Sequence, residues 1–214
     1  MEIKEVYNTI AQEFSKTRFS QWKCVRNFIQ MMPPSILVAD VGCGNGKNLI
    51  IRDDIRFIAC DISSELVSIA SNKASTSDFV LSSCVYLPFR NDMFDYAICI
   101  AVLHHVKETS RVCALNEILR TLKIGGRLLF TVWAREQILK PKWVAIGDGN
   151  FLIPWRNTIN RLYHLFTKDE VIDLVKNLDI ACKVIHYDFE CNNHCIILEK
   201  LNCKYSNAKT TNIC

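Results

Sequence analysis

The hydrophobic residues of this chain recur at two different spacings. Over residues 2–16, apolar side chains such as Val6, Ile10 and Phe14 recur at helical intervals, and a second helical segment covers about 21–31 before two prolines stop it. Beyond them, short apolar runs typical of buried strands alternate with helical segments. The pattern predicts strands at 36–41, 57–61, 79–82, 94–101, 127–133, 183–190 and 194–200, and helices at 63–73, 108–122 and 167–176.

This order of elements indicates the fold class. Strands that alternate with helices form parallel βαβ units, so we expect an α/β, Rossmann-like fold with a seven-stranded, mostly parallel sheet and helices on both faces. With 214 residues the chain is long enough for one such domain and too short for two. We predict one domain over 1–200, with N-terminal helices in 1–35, a lid-like loop of little periodicity at 134–160, and a disordered polar tail at 201–214.

Composition narrows the class of protein further. Half of the residues are hydrophobic (50%) and 22% are charged, which is typical of a globular protein. The first residues are charged and lack the apolar core of a signal peptide, and no run reaches the roughly 20 apolar residues that cross a bilayer. We expect a soluble protein of the cytoplasm, or of the nucleus, with its 11 cysteines reduced. The net charge of +4 is a weak indication of an anionic partner.

A glycine-rich turn follows the first predicted strand. Asp40 ends that strand, and Gly42, Gly44 and Gly46 follow in the segment DVGCGNGK. A turn of this kind, opening a helix at the carboxyl edge of a parallel sheet, is typical of sites for adenosine cofactors. A dinucleotide fingerprint needs a glycine where Lys47 stands, and a carboxylate would repel a pyrophosphate. Asp40 instead suits an ammonium group, such as the one on the methionine part of S-adenosyl-L-methionine.

Further positions extend this predicted cofactor site. Asp61 ends the next strand about 20 residues later, where a carboxylate accepts hydrogen bonds from ribose hydroxyls. Ser83 stands where many enzymes that bind S-adenosyl-L-methionine place an acidic contact to the adenine amino group. Ile100 is expected to flank the cofactor from the central strand. The predicted S-adenosyl-L-methionine site consists of Asp40, Gly42, Gly44, Asp61, Ile62, Ser83 and Ile100.

Longer motifs are spread over residues 6–200: VYNTIAQEFSKTRF, DVGCGNGK, FDYAICIAVLHHV, GGRLLFTVWA, IPW and RLYHLF. Together they resemble the eukaryotic tRNA methyltransferases that esterify 5-carboxymethyluridine at the wobble position. Many methyltransferases share DVGCGNGK, so SKTRF, AVLHH and RLYHLF carry the specific resemblance. It implies a class I methyltransferase fold and a tRNA O-methyltransferase activity that converts this carboxylate to its methyl ester. The chain departs from the family at Phe19, usually a tyrosine, and at Ser83.

A carboxylate acceptor would determine the catalytic chemistry. Its reference pKa of about 4 means that it is ionised at neutral pH, so the enzyme needs no general base and acts by positioning. Because an arginine fork donates two parallel hydrogen bonds to a carboxylate, Arg18 and Arg161 are candidate clamps. His104 and His105 follow the strand whose carboxyl end faces the cofactor, and one of them is a candidate contact to the methyl acceptor.

The resemblance also implies two partners, a tRNA anticodon loop and a small zinc-binding activator protein that forms a heterodimer with the enzyme. Candidate side chains for stacking on an unpaired base are Tyr7, Trp22, Trp155 and Tyr163, although each could equally belong to the core. Two basic groups would face phosphates: Lys16, Arg18, Lys23 and Arg26, and Lys140, Lys142, Arg156 and Arg161.

Two other functions stay open from the residues. The first is a methyltransferase for a quinone- or sterol-type small molecule, which shares the glycine-rich turn and a segment like AVLHHV. The second is a catalytically silent cofactor-binding scaffold, against which the intact Asp40 and Asp61 argue. We predict no metal site, because Cys191, His194, Cys195 and Cys203 lack the paired spacing of zinc knuckles.

Overall fold

The computed structural model describes residues 2–156 and 158–202. The predicted tail and Cys203 therefore lie outside the described residues, apart from positions 201 and 202. The helices are α1 (Ile3–Lys16), α2 (Lys23–Gln30), α3 (Ser64–Lys73), α4 (Glu108–Thr121) and α5 (Lys168–Lys176), with a 3-10 turn at Leu103–His105. The strands are β1 (Leu37–Val41), β2 (Arg56–Asp61), β3 (Asp78–Leu81), β4 (Phe94–Ile100), β5 (Leu122–Trp133), β6 (Val144–Gly147), β7 (Asn150–Trp155), β8 (Ile159–His164), β9 (Cys182–Glu190) and β10 (Asn193–Lys200).

Seven of these strands form one sheet in the order β3-β2-β1-β4-β5-β10-β9. Strands β1 to β5 pair in parallel, whereas β10 and β9 are antiparallel. The predicted seven-stranded, mostly parallel sheet is confirmed. The strand order reverses between β1 and β4, and such a reversal leaves a crevice at the carboxyl ends of the strands.

Helices cover both faces of this sheet, and the central strand β4 is apolar on both faces from Ala97 to Ile100. Successive strand residues point to opposite faces. Accordingly, Ala97 and Cys99 of β4 pack in a core with residues of α4 and α5, whereas Ile98 and Ile100 pack in a second core with residues of α2 and α3. Among the described helices, none is long and apolar enough to cross a membrane.

Two predicted helix starts are confirmed by their caps. Ser63 precedes α3 and accepts a hydrogen bond from the Leu66 backbone N–H at 3.2 Å. Thr167 and Glu170 form the reciprocal capping box that begins α5. Each cap satisfies backbone donors that a helix leaves unpaired, and a cap of this kind contributes about 1 kcal/mol.

The prediction of a lid-like loop at 134–160 is wrong over much of its length, because a three-stranded antiparallel sheet, β6-β7-β8, covers 144–147, 150–155 and 159–164. A tight turn joins β6 to β7, with Gly147, Asp148 and Gly149 all at positive φ. Phe151 and Ile153 alternate on the buried side of β7, but Pro154 and the two glycines hide this short period in the sequence. The small sheet matters because β8 carries part of the site.

A second local prediction is also wrong. No helix follows the glycine-rich turn, since the described residues 42–51 form turns in which Gly46 N–H donates to the Cys43 carbonyl and Leu49 N–H to that of Gly46. The Asn45 amide donates to backbone carbonyls of Ser15 and Arg18, at 3.2 and 2.9 Å. These bonds attach the turn to the end of α1, so the N-terminal helix closes over the crevice.

Candidate active site

A cavity of about 1300 Å³ lies at the carboxyl ends of β1, β2 and β4. One wall comprises the glycine-rich turn and the residues that end β2, β3 and β4; the other comprises α1, the 3-10 turn and β8. Sites for one small molecule commonly enclose roughly 300–1000 Å³. The cavity therefore has room for a nucleoside cofactor and for part of an acceptor.

The glycine-rich turn is held by backbone geometry and by Asp61. Gly42 has a φ of 77°, and a Cβ there would lie 2.2 Å from Cγ2 of Val102, so only glycine fits. Gly44 N–H donates to one oxygen of Asp61 and Ser63 N–H to the other, both at 2.9 Å. Each carboxylate oxygen keeps a further lone pair for a ribose hydroxyl.

Asp40 lies behind this turn and is not part of the cavity wall. Its side chain is fully buried, and neither carboxyl oxygen has a hydrogen-bond partner among the described residues. Burial, followed by the charge of Asp61, raises the pKa of Asp40 to about 8, while Lys47 opposes the rise. A buried carboxyl group needs either a proton or a cation nearby. The ammonium group of S-adenosyl-L-methionine fits this requirement.

The base end of the cofactor site follows from the strand order. The ends of β1, β2 and β3 succeed one another along the sheet edge, so a ligand with its ribose at Asp61 extends its adenine toward the end of β3. The cavity wall there consists of Ser82, Ser83, Cys84 and Val85 and carries no charge. Ser83 Oγ accepts a long hydrogen bond from Val85 N–H at 3.4 Å, and Ser82 Oγ is buried without a partner among the described residues.

The opposite wall contains a hydrogen-bonded tyrosine and histidine. Tyr7 OH lies 2.7 Å from His105 Nε2, and His105 Nδ1 lies 2.9 Å from the Leu162 carbonyl oxygen. Burial lowers the pKa of His105 to about 4. Burial also lowers the pKa of His104 well below its ordinary value, with His105 as the next cause. Both rings are therefore neutral at physiological pH.

Tyr163 occupies the centre of this wall. Its ring stacks on His104, with centroids 4.9 Å apart and an interplanar angle of 17°, and contacts Trp133 at 4.5 Å. Arg161 Nη1 donates to the Tyr163 hydroxyl at 2.7 Å. The Arg161 guanidinium also lies over the rings of Trp155 and Tyr163, at 4.9 and 5.0 Å from their centroids. Arg161 is only 4% exposed and lies one layer behind the cavity wall.

Two further candidates, Arg18 and Trp22, also line the cavity. Arg18 packs over the rings of Phe14 and Trp155 at 5.0 and 5.9 Å and donates to the Thr17 carbonyl at 3.2 Å. Trp22 lies under the ammonium group of Lys47, 5.4 Å from its ring centroid. Trp155 therefore contacts both candidate arginines.

The structure brings the predicted site residues together around one cavity. All but three of them line it; Asp40, Arg161 and Trp155 lie one layer behind. Their individual roles stay predictions. Trp133 and the Leu162 carbonyl were not predicted from the sequence, although the position of Trp133 at the carboxyl end of a predicted strand is a signal that identifies it.

This combination of a parallel sheet, a glycine-rich turn and an acidic strand end defines a class I S-adenosylmethionine-dependent methyltransferase. The profile of the Methyltransferase domain family matches residues 39–130. A solved complex between a Haloferax volcanii methyltransferase activator and a putative methyltransferase is similar in fold, with a TM-score of 0.74 and 16% identity over 94% of this chain and 98% of that chain.

Two sequence relatives give the particular family. The tRNA (carboxymethyluridine(34)-5-O)-methyltransferase of Arabidopsis thaliana is 42% identical over 149 residues, which are 68% of this chain and 36% of that protein. The enzyme of the same name from Schizosaccharomyces pombe is 31% identical over 223 residues, which are 92% of this chain and 96% of that protein. The chain belongs to the tRNA (carboxymethyluridine(34)-5-O)-methyltransferase family. It spans about a third of the Arabidopsis relative and nearly all of the fission yeast one.

Proposed function

We propose that this chain transfers a methyl group from S-adenosyl-L-methionine to the carboxylate of 5-carboxymethyluridine at the tRNA wobble position, giving the methyl ester. The names of the two relatives support this substrate over a quinone or sterol. The observation that carries the proposal is a buried cation, Arg161, behind the cavity wall that α1, the 3-10 turn and β8 form.

Arg161 has no negatively charged partner among the described residues. It is 4% exposed, its Nε has no hydrogen-bond partner, and no ion pair to it occurs within residues 2–156 and 158–202. Buried charges in proteins are ordinarily paired, because desolvation of an unpaired ion costs several kcal/mol. An acceptor carboxylate in the cavity would supply the missing charge. A neutral quinone or sterol would not.

The neutral histidines agree with this chemistry. S-Adenosyl-L-methionine supplies an electrophilic methyl group on a positively charged sulfur. A carboxylate oxygen attacks the methyl carbon, the carbon–sulfur bond breaks, and its electron pair stays on sulfur. The negative and positive charges cancel and no proton moves, so His104 and His105 need not act as bases. The protein acts by aligning the reactants and excluding water, and orientation of this kind supplies several kcal/mol.

The direct test uses purified protein, S-adenosyl-L-methionine labelled in the methyl group, and tRNA bearing 5-carboxymethyluridine. Label should enter the tRNA and be released by mild base, as expected for an ester. The matched control is the same tRNA with unmodified uridine at the wobble position. Label that resists base, or equal label in both tRNAs, would contradict the proposal.

We also propose that an activator protein pairs with this chain, as an activator does with the putative methyltransferase of the similar Haloferax volcanii complex. β3 is a free edge of the large sheet, with Leu81 51% and Tyr86 77% exposed beside it. An edge strand beside exposed apolar side chains is a common docking surface. Co-expression with a small zinc-binding activator should raise soluble yield and activity, and Leu81→Lys should abolish the gain. Equal yield and full activity of the chain alone would contradict this proposal.

A further inference from the structure

The hydroxyl groups of Tyr7 and Tyr163 take part in neighbouring hydrogen bonds whose donors can be assigned. Arg161 is bonded to Tyr163, Tyr7 to His105, and His105 to the Leu162 carbonyl. Burial raises the pKa of Tyr7 well above its ordinary value, Tyr163 raises it further, and Arg161 opposes the rise. The two hydroxyls and the guanidinium therefore lie close together.

The carbonyl oxygen of Leu162 determines the direction on one side. A carbonyl only accepts, so His105 Nδ1 must carry the proton of their 2.9 Å hydrogen bond. Since the ring is neutral, Nε2 has a lone pair and accepts. Tyr7 must then donate its hydroxyl proton across the 2.7 Å contact to His105. The Tyr7 hydroxyl proton is thus engaged in a hydrogen bond within the protein and is not offered to a ligand.

Arg161 determines the direction on the other side. A guanidinium only donates, so the Tyr163 oxygen accepts the 2.7 Å hydrogen bond from Arg161. The Tyr163 proton is left to point toward Tyr7 or into the cavity. His104, Trp133 and Arg161 pack around the ring, and Tyr163 lines the cavity.

We propose that Tyr163 binds the acceptor carboxylate, donating its hydroxyl proton to one carboxylate oxygen while Arg161 supports it from behind and the other oxygen attacks the methyl group. This inference rests on the proposed function. Tyr163 keeps its proton throughout, because the reaction needs no proton transfer and no bond to the phenol forms or breaks.

The position of Arg161 behind Tyr163 has a physical reason. The carboxylate loses its negative charge as the ester forms, so a guanidinium clamped directly on it would stabilise the reactant more than the transition state. A neutral phenol holds the same oxygen with a weaker, directional hydrogen bond. The cation one layer back keeps that phenol polarised and its oxygen occupied.

The test compares Tyr163→Phe with Tyr7→Phe, both of which remove one hydroxyl and keep the ring. Tyr163→Phe should lower kcat for ester formation by about 10- to 100-fold. Tyr7→Phe should lower kcat by a smaller factor, because the Tyr7 hydroxyl donates its proton to His105. Binding of S-adenosylhomocysteine, measured by calorimetry, should stay the same in both variants.

A binding measurement separates this role from a structural one. With S-adenosylhomocysteine bound, the wild type should prefer an anticodon stem-loop with 5-carboxymethyluridine over one with uridine. Tyr163→Phe should lose the preference, whereas a general distortion would weaken binding of both stem-loops alike. If Tyr163→Phe does not fold, 3,5-difluorotyrosine at position 163 replaces it. That more acidic phenol should add a loss of rate with rising pH that the wild type lacks.

The outcomes distinguish the two proposals. A wild type that forms no ester on carboxymethylated tRNA overturns the proposed function. A wild type that forms the ester, together with a Tyr163→Phe variant of unchanged kcat and unchanged preference, overturns only the role of Tyr163. A difluorotyrosine variant with the pH profile of the wild type also overturns only the role of Tyr163.

Discussion

The carboxyl groups of Asp40 and Asp61 interact across the glycine-rich turn. Burial is the main reason that the pKa of Asp40 reaches about 8, and the negative charge of Asp61 is the next. Burial also raises the pKa of Asp61, while the Ser63 and Gly44 N–H groups stabilise its carboxylate and oppose this rise. Near neutral pH, Asp40 therefore carries a proton in the free protein.

The first prediction concerns the stability of the free protein. Asp40 has a pKa of about 8 when folded and about 4 when unfolded, so the folded state binds more protons between these values. Stability contributed by this proton is complete below about pH 4 and is lost as pH rises through about 8, by at most about 1.4 kcal/mol per pH unit. Thermal unfolding should show a smaller loss between pH 6 and 8 in Asp40→Asn than in the wild type. Parallel curves would contradict the assignment.

The second prediction links cofactor binding to a proton. A bound ammonium group favours the ionised form of Asp40, so binding at pH 7 should release up to about one proton. Calorimetry in buffers of different ionisation enthalpy measures this number, and apparent affinity should rise with pH toward about 8. Asp40→Asn should bind more weakly and release none. Equal proton release in both proteins would assign the linkage to another group.

The third prediction concerns the uncharged base end. Ser83→Asp places a carboxylate where Ser83 now offers a hydroxyl, and hydrogen bonds to a charged group are stronger than neutral ones. Affinity for S-adenosylhomocysteine should rise about 5- to 10-fold, whereas Ser83→Asn, of the same shape and neutral, should change it by less than about 3-fold. An analogue without the 6-amino group should bind both variants alike. An equal gain for that analogue would show that Ser83 does not face the amine.

The sequence predicted those parts of the molecule that follow from strand period and strand order. Asp40, Asp61, Ser83 and Ile100 were identified as site residues because the carboxyl ends of parallel strands share one edge. The small sheet was missed, and with it the fact that Arg161 and Tyr163, two apart on β8, point the same way.

Hydrogen-bond direction also lay beyond the sequence. Burial makes His105 neutral although the Leu162 carbonyl opposes this effect, and that carbonyl determines which ring nitrogen carries the proton; both are tertiary features. The missing helix after the glycine-rich turn also reflects a tertiary contact, since the Asn45 amide donates hydrogen bonds to the N-terminal segment. Local propensity does not register such long-range contacts.

The last prediction is that Arg161→Met changes stability and activity in opposite directions. Arg161→Met keeps a long side chain but removes a buried cation that has no ion pair among the described residues. The cation–π contacts of Arg161 with Trp155 and Tyr163 stabilise the folded state by about 0.5–2 kcal/mol each, whereas desolvation of an unpaired ion costs several kcal/mol. Thermal unfolding of the free variant should therefore occur at the same or a higher temperature, while ester formation falls at least about 10-fold. A variant that is both less stable and inactive would mean that Arg161 stabilises the fold. A stable and fully active variant would contradict the proposal that Arg161 supplies the charge for an acceptor carboxylate.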